Sequence, residues 1–434
     1  MAGRLAIIGG GIGGVATAYL CDADWSIDLF EAQPALGGNA ATVDVRGAPV
    51  DLGAETFHPA THPLYWELVK EISAADTIVR MPGTLSVFDA STRRPRFVST
   101  HALRTPAYAR GLLRFIRASR AFLADNPSSE PTLGEWFESH PLGARFEREV
   151  LLPWLASLTS SNVETLTSQS MRAFLVLFTP AFPRSIFDAP STFCSRIGLG
   201  AIVRMLADRC ANLSVHLDAS VSRLERVHSA ERATDGWFVE TAAGRSGPYD
   251  QVVVNAPPYA AREFLAGATE AVRDILGSYT YYAARMVIHE DPRYMPARQR
   301  DWCMHNAAVD GESCEATFWL GAYRTDPATG GPLRLFKSWA THRATEPDAI
   351  LAEREFRHLL LTPGALHAAR ELQRHQGVDG IHFVGHATTL TDLQETALWS
   401  AMKVAETLAP ASPRLRSLQR RAGDDGHAEF DYRP

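Results

Sequence analysis

Gly9, Gly11 and Gly14 stand in G-x-G-x-x-G spacing, with Gly13 inside the same turn, and Glu31 closes the segment "SIDLFE" beyond them. These residue types at this spacing suit the capture of a dinucleotide. Gly9 permits a tight turn, Gly11 lets backbone approach a pyrophosphate, and Gly14 lets a helix pack closely on a strand. An acidic residue about 20 positions after such glycines accepts a ribose hydroxyl. The context is the one this chemistry needs. Leu5–Ile8 reads as a buried strand, Val15–Leu20 as a helix whose N-terminus faces the negative charge, and "SIDLFE" as a second strand.

Other residues offer acid–base chemistry. His289 in "IHED" and His58 in "ETFH" titrate near neutral pH, and Glu55 lies three residues before His58. Against this stands the plainer reading of both as structural histidines. Tyr281, Tyr282, Trp319 and Trp339 are candidates for an aromatic wall, or for ordinary core. Cys21, Cys194, Cys210, Cys303 and Cys314 are scattered and odd in number, without C-x-x-C or Cys/His ligand spacing, so no metal is expected. They read as free thiols of a reducing, cytoplasmic setting.

The elements that must position these groups fit a chain of 434 residues, 46% hydrophobic and 21% charged, long enough for two cores. A net charge of −6 argues against nucleic acid as a partner. No secretory signal is visible, and no run approaches the roughly 18 apolar residues of a membrane span. Residues 60–190 turn helical. In "LRTPAYARGLLRFIRASRAFLA", Arg110, Arg114, Arg117 and Arg120 share one face. That is a solvated face, or a surface for lipid phosphates or an acidic carrier protein. Thr132 and Glu135 form a capping box. "FEREVLLPWLASLTSSNVETL" is core or a greasy substrate tunnel. From residue 195 a glycine turn, an amphipathic helix and successive strands ending in "VVVNAPP" restore the first pattern.

Three further stretches carry a likeness to a known family. "ALGGNAATV" places Gly37 and Gly38 just beyond Glu31, "VDLGAETFH" follows, and "GIHFVGHATTLTDLQETALWSAMKVAETLAP" lies near the end. Together they resemble the flavin-containing amine oxidases and phytoene-type desaturases. The likeness implies non-covalent FAD and an α/β fold: a Rossmann-type FAD-binding domain with an interleaved α+β substrate domain. The expected divisions are 1–60, 195–265 and 373–412 for the FAD-binding domain, 61–194 and 266–372 for the substrate domain, and 413–434 for a flexible tail. It implies that Gly37, Gly38 and Asn39 lie at the FAD phosphates, backbone at Gly53 and Ala54 near the flavin, and Val221 at adenine. Gly385, His386 and Glu395 would belong to the last cofactor motif. Three departures stand out: Asn39 where the family has Arg, His386 where it has an acid, and Ala397 where it has Gly. Many family oxidases also carry a Lys on the strand matching "YTYYAARMVI". Here Arg285 stands there and no Lys, which implies slow reaction with oxygen. A looser likeness is to a bacterial subgroup of predicted NAD/FAD-binding proteins, some of them associated with lipid acyl chains.

The resemblance therefore implies an FAD-dependent oxidoreductase that takes a hydride from a lipophilic or carrier-bound small molecule, giving C=C or C=N. Two alternatives stand beside it: an FAD-dependent double-bond isomerase without net redox, and a non-catalytic binding module. Peripheral membrane or carrier-protein contact is a further expectation. Oligomeric state is not readable.

Overall fold

The computed structural model describes residues 3–125, 128–182, 190–228, 235–265, 270–326, 328–389 and 391–422. Five parallel strands form one sheet, in the spatial order Ile381–Phe383, Gln251–Val254, Gly3–Ile8, Trp25–Phe30 and Leu213–His216. The central strand is apolar without alternation because both faces are covered. Leu5 and Ile7 pack on the helices Ile12–Cys21, Leu199–Ala207 and Gln394–Leu408. Ala6 and Ile8 point the other way, into a core shared with the antiparallel strands Val221–Val227, Gly236–Thr241 and Gly244–Tyr249.

A second sheet of seven strands runs in the order Ala352–Leu359, Tyr281–His289, Phe336–Trp339, Ser313–Trp319, His305–Asp310, Leu85–Asp89 and Pro95–Val98. One face of its first strands carries Ala284, Met286, Ile288, Trp339 and Phe356. These pack against Val45, Val50 and Leu52 of the hairpin Thr42–Val45/Ala48–Asp51. The two halves of the molecule thus meet through this hairpin. The helices between Pro106 and Leu175 form a layer of their own over Leu85, Val87, Ala307 and Val309. The capping box on helix Leu133–Ser139 forms as its sequence indicates.

Two boundaries differ from the sequence reading. Helix Pro63–Glu71 buries Leu64, Tyr65, Leu68 and Val69 in the Rossmann-side core, so these residues belong with that half and not with 61–194. Residues Pro413–Ala422 form a helix rather than the start of a flexible tail, with Leu415 and Leu418 buried in the same core. The remainder of that tail lies outside the described residues. Among the described residues no helix is long and apolar enough to cross a membrane, and no group of His, Cys, Asp and Glu could hold a metal.

Candidate functional site

The glycine turn sits at the carboxyl end of the central strand. Gly9 adopts φ +108° and donates its N–H to the Phe30 carbonyl at 2.8 Å. A Cβ on Gly14 would lie 2.1 Å from the Gly9 carbonyl oxygen, so only glycine lets the helix start here. The helix has Gly11 as N-cap, with no side-chain cap and no acid in its first turn. Its leading amides therefore remain for an anion. Gly37 and Gly38 cross over this turn. Gly37 donates to the Gly10 carbonyl at 2.9 Å, and Gly38 has φ +59° with its Cβ position 3.1 Å from the Gly11 Cα. Asn39 then offers its carbonyl to the Ala54 N–H at 2.9 Å, which ties the second glycine pair to Gly53–Ala54.

Glu31 directly follows the second strand, 7% exposed. Its Oε2 accepts from the Gly10 N–H at 2.6 Å and its Oε1 from Gln33 at 2.8 Å. Each oxygen retains acceptor capacity for a ribose hydroxyl. Val221 opens its strand two residues after Ala219, whose N–H donates to the Glu31 carbonyl at 2.8 Å.

The far end of the chain closes on the same place. Cβ positions on Gly13 and Gly385 would fall 2.6 and 2.8 Å from one atom, Asn255 Oδ1. Asn255 Nδ2 in turn donates to the Gly9 carbonyl at 3.1 Å. This residue escaped the sequence reading. Its signal was a polar side chain ending the apolar strand "QVVV" before "APP". His386 does not stand free where an acid is usual: its Nε2 lies 3.0 Å from the Tyr281 hydroxyl. Glu395 corrects the sequence reading. It is fully buried and accepts from the Leu64 and Tyr65 N–H groups at 2.9 and 2.8 Å, capping helix Pro63–Glu71. Burial pushes its carboxyl up to about 8.

Glu55 meets a partner no local pattern foretold. Lys337 Nζ lies 3.1 Å from Glu55 Oε2 and donates to the Gly53 carbonyl at 2.7 Å, while the Tyr323 hydroxyl donates to Oε1. Lys337 and Tyr323 hold the Glu55 carboxyl below its ordinary range against the opposing effect of burial. Nearby, burial first and the Glu55 charge second push Asp51 up to about 6. The sequence reading missed this lysine because it searched the strand Tyr281–His289. Lys337 comes from the adjacent strand, paired with Ile288 on the inner face. Arg285 points the opposite way, to Glu346 and Glu353.

Neither histidine candidate joins this cluster. His289 lies on the outer face, since alternation puts it opposite to Ile288 and Lys337. Its Nε2 is 2.8 Å from the Ser338 hydroxyl, its Nδ1 accepts from the Asp291 N–H, and burial brings it down to about 4. His58 uses Nδ1 to accept from the Ala60 N–H and rests against Phe193. A third histidine faces inward. His358 sits between Tyr282 and Trp339, with ring centroids at 5.5 and 5.2 Å, and its buried Nε2 has no hydrogen-bond partner among the described residues. Burial lowers its pKa. Alternation in "REFRHL" could have shown that Arg354, Phe356 and His358 share one face. Of the four aromatic candidates, Tyr282 and Trp339 line this face and Tyr281 meets His386. Trp319 packs outward on Trp302.

The uncapped helix, the acid at the second strand and the glycine cradle that side chains would fill all fit FAD. The residues that would hold it are the Gly9–Gly14 turn, Glu31, Gly37–Asn39, Gly53–Ala54 and Gly385. Comparison with known proteins agrees. Residues 12–300 match the model of the flavin containing amine oxidoreductases. Prenylcysteine oxidase 1 of Pongo abelii is 33% identical over 93 residues, 20% of this chain and 18% of that protein, so the match spans under a fifth of that relative. Among solved structures, the CLA-producing fatty acid isomerase from P. acnes superposes with a TM-score of 0.67 at 12% identity, covering 93% of this chain and 98% of that one. A putrescine oxidase double mutant superposes with a TM-score of 0.65 at 13% identity, covering 94% and 99%. These likenesses show the two-domain fold. The chain belongs to the flavin containing amine oxidoreductase family, with FAD as its cofactor.

Proposed function

We propose that this FAD oxidoreductase desaturates a lipophilic small molecule, with transfer of a hydride from a C–H centre. One observation carries the reading: the composition of the inner sheet face beside Gly53. It presents Phe318 and Tyr282, half-buried over a core of Met286, Trp339 and Phe356, and its buried cation, Lys337, is already neutralised by Glu55. Such a wall favours an acyl or isoprenoid chain over a free ammonium. FAD, when bound, supplies the two-electron acceptor. The protein's part is to exclude water with these aromatics, to fix the Gly53 carbonyl through Lys337, and to offer His358 Nε2 to a polar atom of the substrate. Cys194, near Glu55, is held up to about 12 by burial first and that carboxylate second, which fits a flavin that is not covalently attached.

The test is anaerobic mixing with unsaturated and saturated acyl substrates while the flavin absorbance is followed. Net desaturation leaves the flavin bleached. The likeness to a fatty acid isomerase favours one second reading, hydride removal and return without net redox, which leaves it yellow with a shifted double bond. Bleaching by amines alone overturns both, and protein that stays colourless with added FAD points to a binding module.

We also propose a docking surface for anionic lipid on helix Pro106–Ala124. This helix contains no acidic residue. Arg110, Arg114 and Arg117 are exposed and make no ion pair among the described residues. Leu113 is 43% exposed and Leu103, just before the helix, 94%. Arginines interleaved with bare leucines, on a chain of net charge −6, suit the headgroup boundary better than water. A cytoplasmic setting accords with the five free cysteines.

A further inference from the structure

In this chain Asn39 follows the paired glycines, so that position brings no positive charge to the pyrophosphate. The deficit is answered from the other half of the molecule. Arg354, on the strand Ala352–Leu359, pairs in register with Met286 and so shares the inner face with Phe356. Its guanidinium lies 5.1 Å from the Phe356 ring centroid. The edge of that same ring comes within 2.8 Å of the Cβ position of Gly53. Arg354 is half-buried, yet makes no hydrogen bond or ion pair among the described residues. Its neighbours on the strand are occupied: Glu353 by Arg285, and Arg357 by the face of Tyr259 at 4.8 Å.

Two groups bear on its surroundings. Arg354 is within electrostatic reach of Glu31, at the end of one strand, and of Tyr259, which follows the strand Gln251–Val254. In the parallel sheet the strand Gly3–Ile8 lies between those two. Its carboxyl end is the glycine turn. The Cβ position of Gly53 that meets the Phe356 ring also falls 2.0 Å from the Asn39 carbonyl oxygen, so the ring beneath Arg354 lies against the backbone of the residue that follows the glycine pair.

We propose that Arg354 is the pyrophosphate cation of this protein, supplied across the domain boundary in place of an arginine after the glycine pair. A half-buried guanidinium without a partner is unfavourable, and a diphosphate offers the bidentate acceptors it lacks. The assignment makes cofactor retention depend on the seven-stranded sheet staying docked on the Rossmann half. It rests on occupancy by FAD and is independent of the reaction proposed above.

The experiment compares the full-length wild type with Arg354→Gln, Arg354→Lys and the control Arg357→Gln. FAD affinity is read from flavin fluorescence, with ADP and adenosine as competitors. Arg354→Gln is expected to weaken FAD and ADP by roughly ten- to a hundredfold, the loss of a hydrogen-bonded charge, and to leave adenosine unchanged. Arg354→Lys should recover part of the loss, and Arg357→Gln should behave as wild type. Unchanged FAD affinity in Arg354→Gln overturns the proposal. So does equal loss of ADP and adenosine, or a lowered melting temperature of the FAD-free variant, since the arginine would then serve only to neutralise Glu31. A wild type that binds no FAD overturns the cofactor assignment itself, a result distinct from all of these.

Discussion

Replacing Lys337 by Met tests the cluster at Gly53. The side chains of the pair are 4% and 6% exposed, with nitrogen and oxygen 3.1 Å apart. Removing one partner of such a pair leaves a buried, uncompensated charge and costs about 3–5 kcal/mol. For 434 residues, an unfolding entropy of about 2.1 cal/mol/K per residue gives about 0.9 kcal/mol/K. The midpoint should therefore fall by about 4 °C if the chain melts as one unit. The pH dependence also reverses. In the wild type the Glu55 carboxyl is held below its ordinary value. It therefore adds stability above that value, lost as pH falls through the folded pKa. Without Lys337, burial raises the same carboxyl. The folded state then favours the protonated form, and stability falls as pH rises, by at most about 1.4 kcal/mol per unit. Melting curves of Lys337→Met, Glu55→Gln and the double variant at pH 6 and pH 8 measure all of this. The single lysine variant should lose more at pH 8 than at pH 6, and the double variant should regain part of the loss. A shift under about 1 °C, the same loss at both pH values, or a double variant no better than the single one would refute the reasoning.

The ammonium of Lys337 has three N–H donors, and Gly53 and Glu55 take two. The strand Tyr281–His289 has no lysine, but its neighbour brings Lys337 to Gly53, so the expected slow reaction with oxygen is tested at this residue. Reduced Lys337→Met holoprotein should reoxidise in air more slowly than wild type in stopped-flow absorbance, and equal rates would deny the lysine a part. Gly14→Ala should abolish FAD retention and lower stability, because its Cβ would sit 2.1 Å from a backbone oxygen. Full flavin content in the purified variant would contradict the turn geometry. Glu395, raised to about 8, is protonated in the folded state where the unfolded chain ionises it. Stability should thus decline between about pH 4.3 and pH 8, and Glu395→Gln should flatten that slope; an unchanged pH–stability profile would show that the carboxyl is ionised. Charge reversal of Arg110, Arg114 and Arg117 to Glu should release the protein from phosphatidylserine vesicles in sedimentation, with Leu103→Ser weakening it further. Equal binding to neutral vesicles, or none by the wild type, would remove the lipid surface.

What the sequence determined by itself is the part written in local backbone geometry. Gly9, Gly14, Gly37 and Gly38 stand where a side chain would clash or strain the backbone, and the apolar run before them and the acid after them are read at fixed spacing. The dinucleotide half was legible for that reason. What tertiary structure alone decided is the chemistry on the opposing sheet. Lys337, Arg354 and His358 lie far from the glycines in the chain, and each is a common residue on a strand. Only the strand order and the register, which puts Lys337 beside Ile288 and Arg354 beside Met286, send them inward and His289 and Arg285 outward. Glu395 shows the same limit from the other side. Its place in a cofactor motif suggested a ligand, but the packing of helix Pro63–Glu71 gave its carboxyl group two backbone amides to cap. Face and partner are long-range properties, fixed when the sheets and helices dock, and no local spacing carries them.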